Sequence, residues 1–147
     1  MSGSHDRDAY ARALAVFLAR AVLGLIFFMA GVHKVFVQGP IAHAEQWFLP
    51  FKDTFLPVWS LWATGVSVPF VELAGGLLVL VGYRIRLGLT LLGAVLVLVT
   101  FGHLLHEPLY AFHEHVIPRL ALVLFVLSAP SAWDRWSIDA RLAKRRT

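Results

Sequence analysis

Residues 58–84 read VWSLWATGVSVPFVELAGGLLVLVGYR, and this stretch decides the fold class. Between Val58 and Gly82 the single ionisable side chain is Glu72. A helix needs about 20 residues to cross ~30 Å of hydrocarbon, and this run is long enough. A charge inside such a run costs roughly a few kcal/mol even on the gentler insertion scales, so Glu72 requires a partner.

On either side of this stretch, apolar blocks recur around Ala13–Val37, Leu87–Leu105 and Val116–Ala132. The pattern predicts spans at about 13–37, 58–82, 87–106 and 114–132, the last weakened where Pro118 and Arg119 interrupt its start. Composition agrees: 59% of residues are hydrophobic and 15% charged, with a mean hydropathy of +0.72. Soluble domains lie nearer half apolar and a quarter charged. No segment between the blocks is long enough to fold as a soluble domain. The expectation is one all-α integral membrane domain over 1–147, a four-helix bundle. The opening MSGSHDRDAYAR places its small residues before the apolar run, so the first block is expected to be retained. With no cysteine, this chain alone offers no thiolate metal site, disulfide relay or iron–sulfur cluster.

The net charge of +4 is unevenly placed. With four spans, both termini and the Gly82–Arg86 turn share one side, which holds Arg7, Arg12, Arg84, Arg86, Arg135, Arg141, Lys144, Arg145 and Arg146. The other side holds Lys34, Lys52 and Arg119. The positive-inside rule then puts both termini in the cytoplasm, with the cytoplasmic membrane as location. The basic tail reads as a topology signal and an anionic-lipid contact, so the expected partner is the bilayer and not nucleic acid.

Along the chain, the first helix is expected from near Asp8 to Val37, stopped by Gly39-Pro40. Ile41–Pro57 is too polar to span and too aromatic for a free linker. Trp47, Phe48, Phe51 and Phe55 suggest a re-entrant or interfacial piece, continued by Trp59 and Trp62. Pro69 removes a helical donor and leaves a carbonyl short of its partner in the turn before Glu72. Trp133 and Trp136 are expected at the inner interface.

Candidate chemistry begins with Arg20 and Glu72. If Arg12 and Gly82 mark the inner surface, Arg20 stands about 12 Å above it counted from Arg12, and Glu72 about 15 Å counted from Gly82, at about 1.5 Å per residue. Arg20, Gly24, Phe27, Gly31 and Lys34 form one stripe, and Gly65, Pro69, Glu72, Gly76 and Val79 another. Small residues let helices approach closely in lipid, so the two stripes are expected to face each other and Arg20 to pair with Glu72. Such a pair either fixes packing or opens a polar pocket.

All histidines but His5 fall on the outer half. His103, His106 and Glu107 share one helix face, and with His33 they form a candidate metal-ligand set. Proton handling is the other use of such histidines, and a plain interfacial role the blander one. Arg119 is expected in the first turn of the fourth helix, close to Glu107 and Glu114, as a rim ion pair.

The pattern Arg20-x3-Gly24-x2-Phe27-x3-Gly31-x2-Lys34, together with Glu72-Leu-Ala-Gly-Gly-Leu-Leu-Val-Leu-Val-Gly-Tyr-Arg84, resembles the DoxX-like membrane proteins. The resemblance implies a small four-helix bundle in the cytoplasmic membrane. It further implies a subunit of a quinone-linked oxidoreductase or of a redox-stress complex, with partner subunits and without a demonstrated activity of its own. Its matching positions are Arg20, Lys34, Glu72 and Arg84. With Phe27 they make the expected ligand site, in which Arg20 and Glu72 would bond a quinone headgroup. The alternatives are a non-enzymatic scaffold, chaperone or lipid-binding subunit and, behind these, proton or metal transport.

Overall fold

A helix of this length cannot lie wholly within a bilayer. In the computed structural model, which describes residues 2–106 and 112–145, α1 (Ser2–Val32) runs without a break into a π-helical segment, His33–Gln38. The apolar span His5–Gln38 covers 34 residues, about 50 Å at about 1.5 Å per residue, against ~30 Å of hydrocarbon. Gly39 ends it with φ +86°, a conformation that glycine adopts readily, and Pro40 opens α2 (Pro40–Trp47). A 3₁₀ turn, Leu49–Asp53, follows. Then come α3 (Val58–Val81), α4 (Ile85–His106), α5 (Phe112–Ser128), a 3₁₀ turn at Ser131–Trp133 and the short α6 (Ile138–Lys144). Among the described residues there is no strand.

Three of these helices are long and apolar enough to cross a membrane: the extended α1, α3 and α4. The apolar part of α5 is shorter, Val116–Ser128, and it carries Pro118. All four pack in a ring, α1 on α3, α3 on α4, α4 on α5 and α5 back on α1. The core between them is Leu23, Phe27, Val79, Leu89, Leu92, Leu96, Val123 and Val126. Outward, α1 exposes Leu18, Val22, Leu25 and Met29, an apolar stripe at helical spacing that suits lipid and not water.

The two glycine-bearing stripes do face each other. A side chain on Gly24 would strike the backbone of Leu80, one on Gly31 the backbone of Leu73, and one on Gly76 the backbone of Phe28. These contacts fix an antiparallel register, one residue along α1 for each residue back along α3. That register overturns the expected depths. It sets Arg20 level with the α3–α4 turn and sets Glu72 near the far end of α1. Arg12 does not mark a membrane surface level with Gly82, because α1 continues past the turn and the C-terminal segment folds against it. Tyr10 and Phe17 meet the Trp136 ring edge-on at 5.6 and 5.7 Å, and the Arg12 guanidinium lies 5.4 Å over Trp133. The beginning of α1, the α3–α4 turn and residues 131–145 therefore gather at one end, the turn end. The other end, where α2 packs on α3, is the loop end.

Candidate functional site

The expected Arg20–Glu72 pair does not form. Arg20 is buried at the turn end, where Nη1 donates to the carbonyls of Val79 (3.0 Å) and Leu80 (2.9 Å) and Nη2 to that of Trp136 (3.1 Å). Its Nε lies 3.6 Å from Asp134 Oδ1, which is too long for a hydrogen bond but close enough for an ion pair. The guanidinium thus covers the last carbonyls of α3, which have no helical donors of their own. Gly82, at φ +73°, ends α3, and a Cβ there would collide with Arg20 and Ser137. Arg84 also belongs to this end. Its φ is +46°, and its N–H and that of Ile85 donate to the two carboxylate oxygens of Asp139, each at 3.1 Å. A carboxylate at the start of α4 is favoured by the helix dipole and supplies the missing acceptors.

Glu72 has a different cation. Lys34 Nζ donates to Glu72 Oε2 at 2.6 Å, a short charge-assisted bond in which the glutamate is buried and the lysine partly so. Lys34 sits in the π-helical segment His33–Gln38, a wider turn that is rare in proteins and frequent at functional sites. The pair lies on the wall of a cavity of about 880 Å³ at the loop end. Phe27, Phe48, Phe51, Leu61, Val68, Leu96 and Val99 supply apolar wall, and His33, Gln38, His43, Ser60, Thr64, His103 and Arg119 supply polar groups. Of the five expected ligand residues, the cavity gathers Phe27, Lys34 and Glu72, while Arg20 and Arg84 do not line it.

His43 is the residue that sequence reasoning missed. It is buried on α2, and its Nδ1 lies 2.8 Å from the carbonyl oxygen of Gly65. That carbonyl is the one left without a helical donor because Pro69, four residues on, has no N–H. A carbonyl can only accept, so Nδ1 carries the proton and donates. Burial pulls the imidazole below its ordinary pKa; the Gly65 carbonyl and Glu72 work the other way, and Lys34 adds to the lowering. The neutral ring then presents Nε2 as an acceptor. Pro69 signalled that some donor was needed. Only the packing of α2, where Ala44 and Phe48 seat against Gly65, shows which one.

Of the expected metal set, His33 and His103 both line the cavity, whereas the His106 side chain and Glu107 lie outside the described residues. Among the described residues no group of three histidine, aspartate or glutamate side chains is placed to hold a metal ion. Arg119 follows Pro118 in the second turn of α5, beyond the expected first turn, and lines the cavity. The aromatic segment is also more than an interfacial belt. Trp47, Phe48 and Phe51 wall the cavity, while Phe55 and Trp59 stay exposed.

Long apolar helices around a largely apolar cavity with a few polar groups on its wall define an all-α membrane protein with room for a small molecule between its helices. The sequence model of the DoxX family matches residues 15–106, well over half of the chain, and the chain belongs to that family. The matched stretch runs from α1 to the end of α4 and includes Lys34, His43 and Glu72, but it stops before Asp134 and Trp136, the partners of Arg20. Comparison with curated proteins and with solved structures found no match.

Proposed function

We propose that this protein is the quinone-binding membrane subunit of an oxidoreductase or redox-stress complex, with the quinone headgroup held at Lys34, Glu72 and His43. The observation that carries this reading is the Lys34–Glu72 pair, with its glutamate buried, on the wall of an otherwise largely apolar cavity. Small-ligand sites are commonly about 300–1,000 Å³, mainly apolar, with a few converging polar groups, and this cavity fits that description. The pair cancels its own charge, which suits a neutral ligand. Its lysine can donate to a carbonyl oxygen, and Phe27, Phe48 and Phe51 can flank a flat ring. With no cysteine and no evident cofactor motif in the chain, electrons would pass to a partner subunit or through metal at the histidines. In this reading α5 spans with α1, α3 and α4, and both termini are cytoplasmic. A second cleft at the turn end supports an anionic-lipid contact on that side: Arg84, Arg86, Arg135 and Lys144 line it together with Ile85, Leu87 and Leu127, and its two carboxylates, Asp134 and Asp139, are engaged by Arg20 and by the N–H groups of Arg84 and Ile85.

The test is mass spectrometry of organic and metal content in purified protein, beside Lys34→Met and Glu72→Gln variants. A co-purifying quinone that falls about tenfold or more in either folded variant is the expected result. Protein that carries no quinone and binds none when it is supplied would leave the bundle as a scaffold. Stoichiometric metal lost on His33→Ala or His103→Ala would instead move the chemistry to the histidines.

A further inference from the structure

The cavity's polar groups differ in what they can offer a ligand. Lys34 offers N–H donors only. His43 offers the reverse. Its Nδ1 proton is committed to the Gly65 carbonyl at 2.8 Å, so in the neutral ring the remaining atom, Nε2, can only accept. The commitment is built into the backbone: Pro69 denies Gly65 its helical donor, and a buried carbonyl left bare is costly, so the imidazole is held to one tautomer. Lys34 and Glu72 are its charged neighbours, and all three line one cavity.

We infer that the cavity prefers the reduced, hydroquinone form of its ligand, with one hydroxyl donating to His43 Nε2 and an oxygen of the ring accepting from Lys34. This rests on the quinone reading above. A quinone has two carbonyl oxygens and no hydroxyl. One can accept from Lys34, but the other would set acceptor against acceptor at His43, and sites built around a hydrogen bond discriminate strongly against ligands that lack it. His43 acts here as a specificity residue, and Pro69 acts through it as a positioning residue.

The experiment is calorimetric titration of the full chain in lipid nanodiscs, under anaerobic conditions near pH 7.5, with decylbenzoquinone and with its hydroquinone. The expected result is hydroquinone bound about tenfold or more tighter. In the double variant His43→Phe with Pro69→Ala, residue 69 regains an N–H for the Gly65 carbonyl and the ring loses its acceptor, so the two affinities converge. His43→Gln is the second variant, since its amide can turn an N–H toward a carbonyl; it too should bring the affinities together. Equal binding of both forms by the unaltered chain overturns the inference and leaves the quinone reading intact, as does a preference that survives in both folded variants. Binding of neither form by the unaltered chain overturns both.

Discussion

Arg20 and Lys34 are both cations on α1, yet their surroundings differ in kind. Arg20 meets backbone carbonyls and Asp134, all supplied by chain that must be held in place. Lys34 meets one buried carboxylate beside a cavity. The first arrangement fixes structure, because a planar guanidinium with several donors can bond three carbonyls from two separate backbone segments at once. The second leaves room for a ligand. Arg20→Ala should therefore destabilise the protein by about 3–5 kcal/mol, the usual range for breaking a buried ion pair, read as thermal unfolding in detergent. Below its lowered melting point the variant should bind cavity ligands as before. Loss of ligand binding from a folded Arg20→Ala protein would place Arg20 in the site after all.

Among elements, the α1–α3 pair is the frame on which the cavity depends. Gly24, Gly31 and Gly76 bring the two backbones into contact, and in lipid such close packing is what holds helices together. Gly76 meets the backbone at Phe28 and cannot yield to a larger side chain by a rotamer change. Gly76→Leu should cost about 1–3 kcal/mol or more through overpacking, and by prising α1 from α3 it should also separate Lys34 from Glu72. Parallel measurements of melting temperature and ligand affinity check this, with both expected to fall together. The glycine spacing was legible in the sequence because it follows helical periodicity. The π-helical turn at His33–Gln38 was not, since nothing in those six residues differs from an ordinary helix end.

For the whole molecule, the ends of the bundle differ in charge and in use. Basic residues and the C-terminal segment gather at the turn end, and the cavity opens the loop end. The proposed orientation is open to a direct test because the chain has no cysteine of its own. Single substitutions Asp53→Cys and Ser131→Cys lie in exposed positions at opposite ends. An impermeant maleimide applied to intact cells should label the first and spare the second, which should react only after the membrane is opened. The reverse pattern would invert the topology, and labelling of both would remove the four-span reading.

By itself the sequence determined that this is an all-α membrane protein of the DoxX family, that α1 and α3 meet along small residues, and that Pro69 leaves a carbonyl in need of a donor. These are local properties: hydropathy, residue spacing and the chemistry of single side chains act within one helix. The tertiary structure alone decided which charges meet. Helix register depends on contacts between elements, and a charge finds its partner only once that register is set. Asp134 and Trp136 reach Arg20 from the far end of the chain, and His43 reaches Gly65 from a helix packed across α3. Arg20 and Glu72 therefore belong to opposite ends of the molecule, one closing the fold and the other facing the cavity.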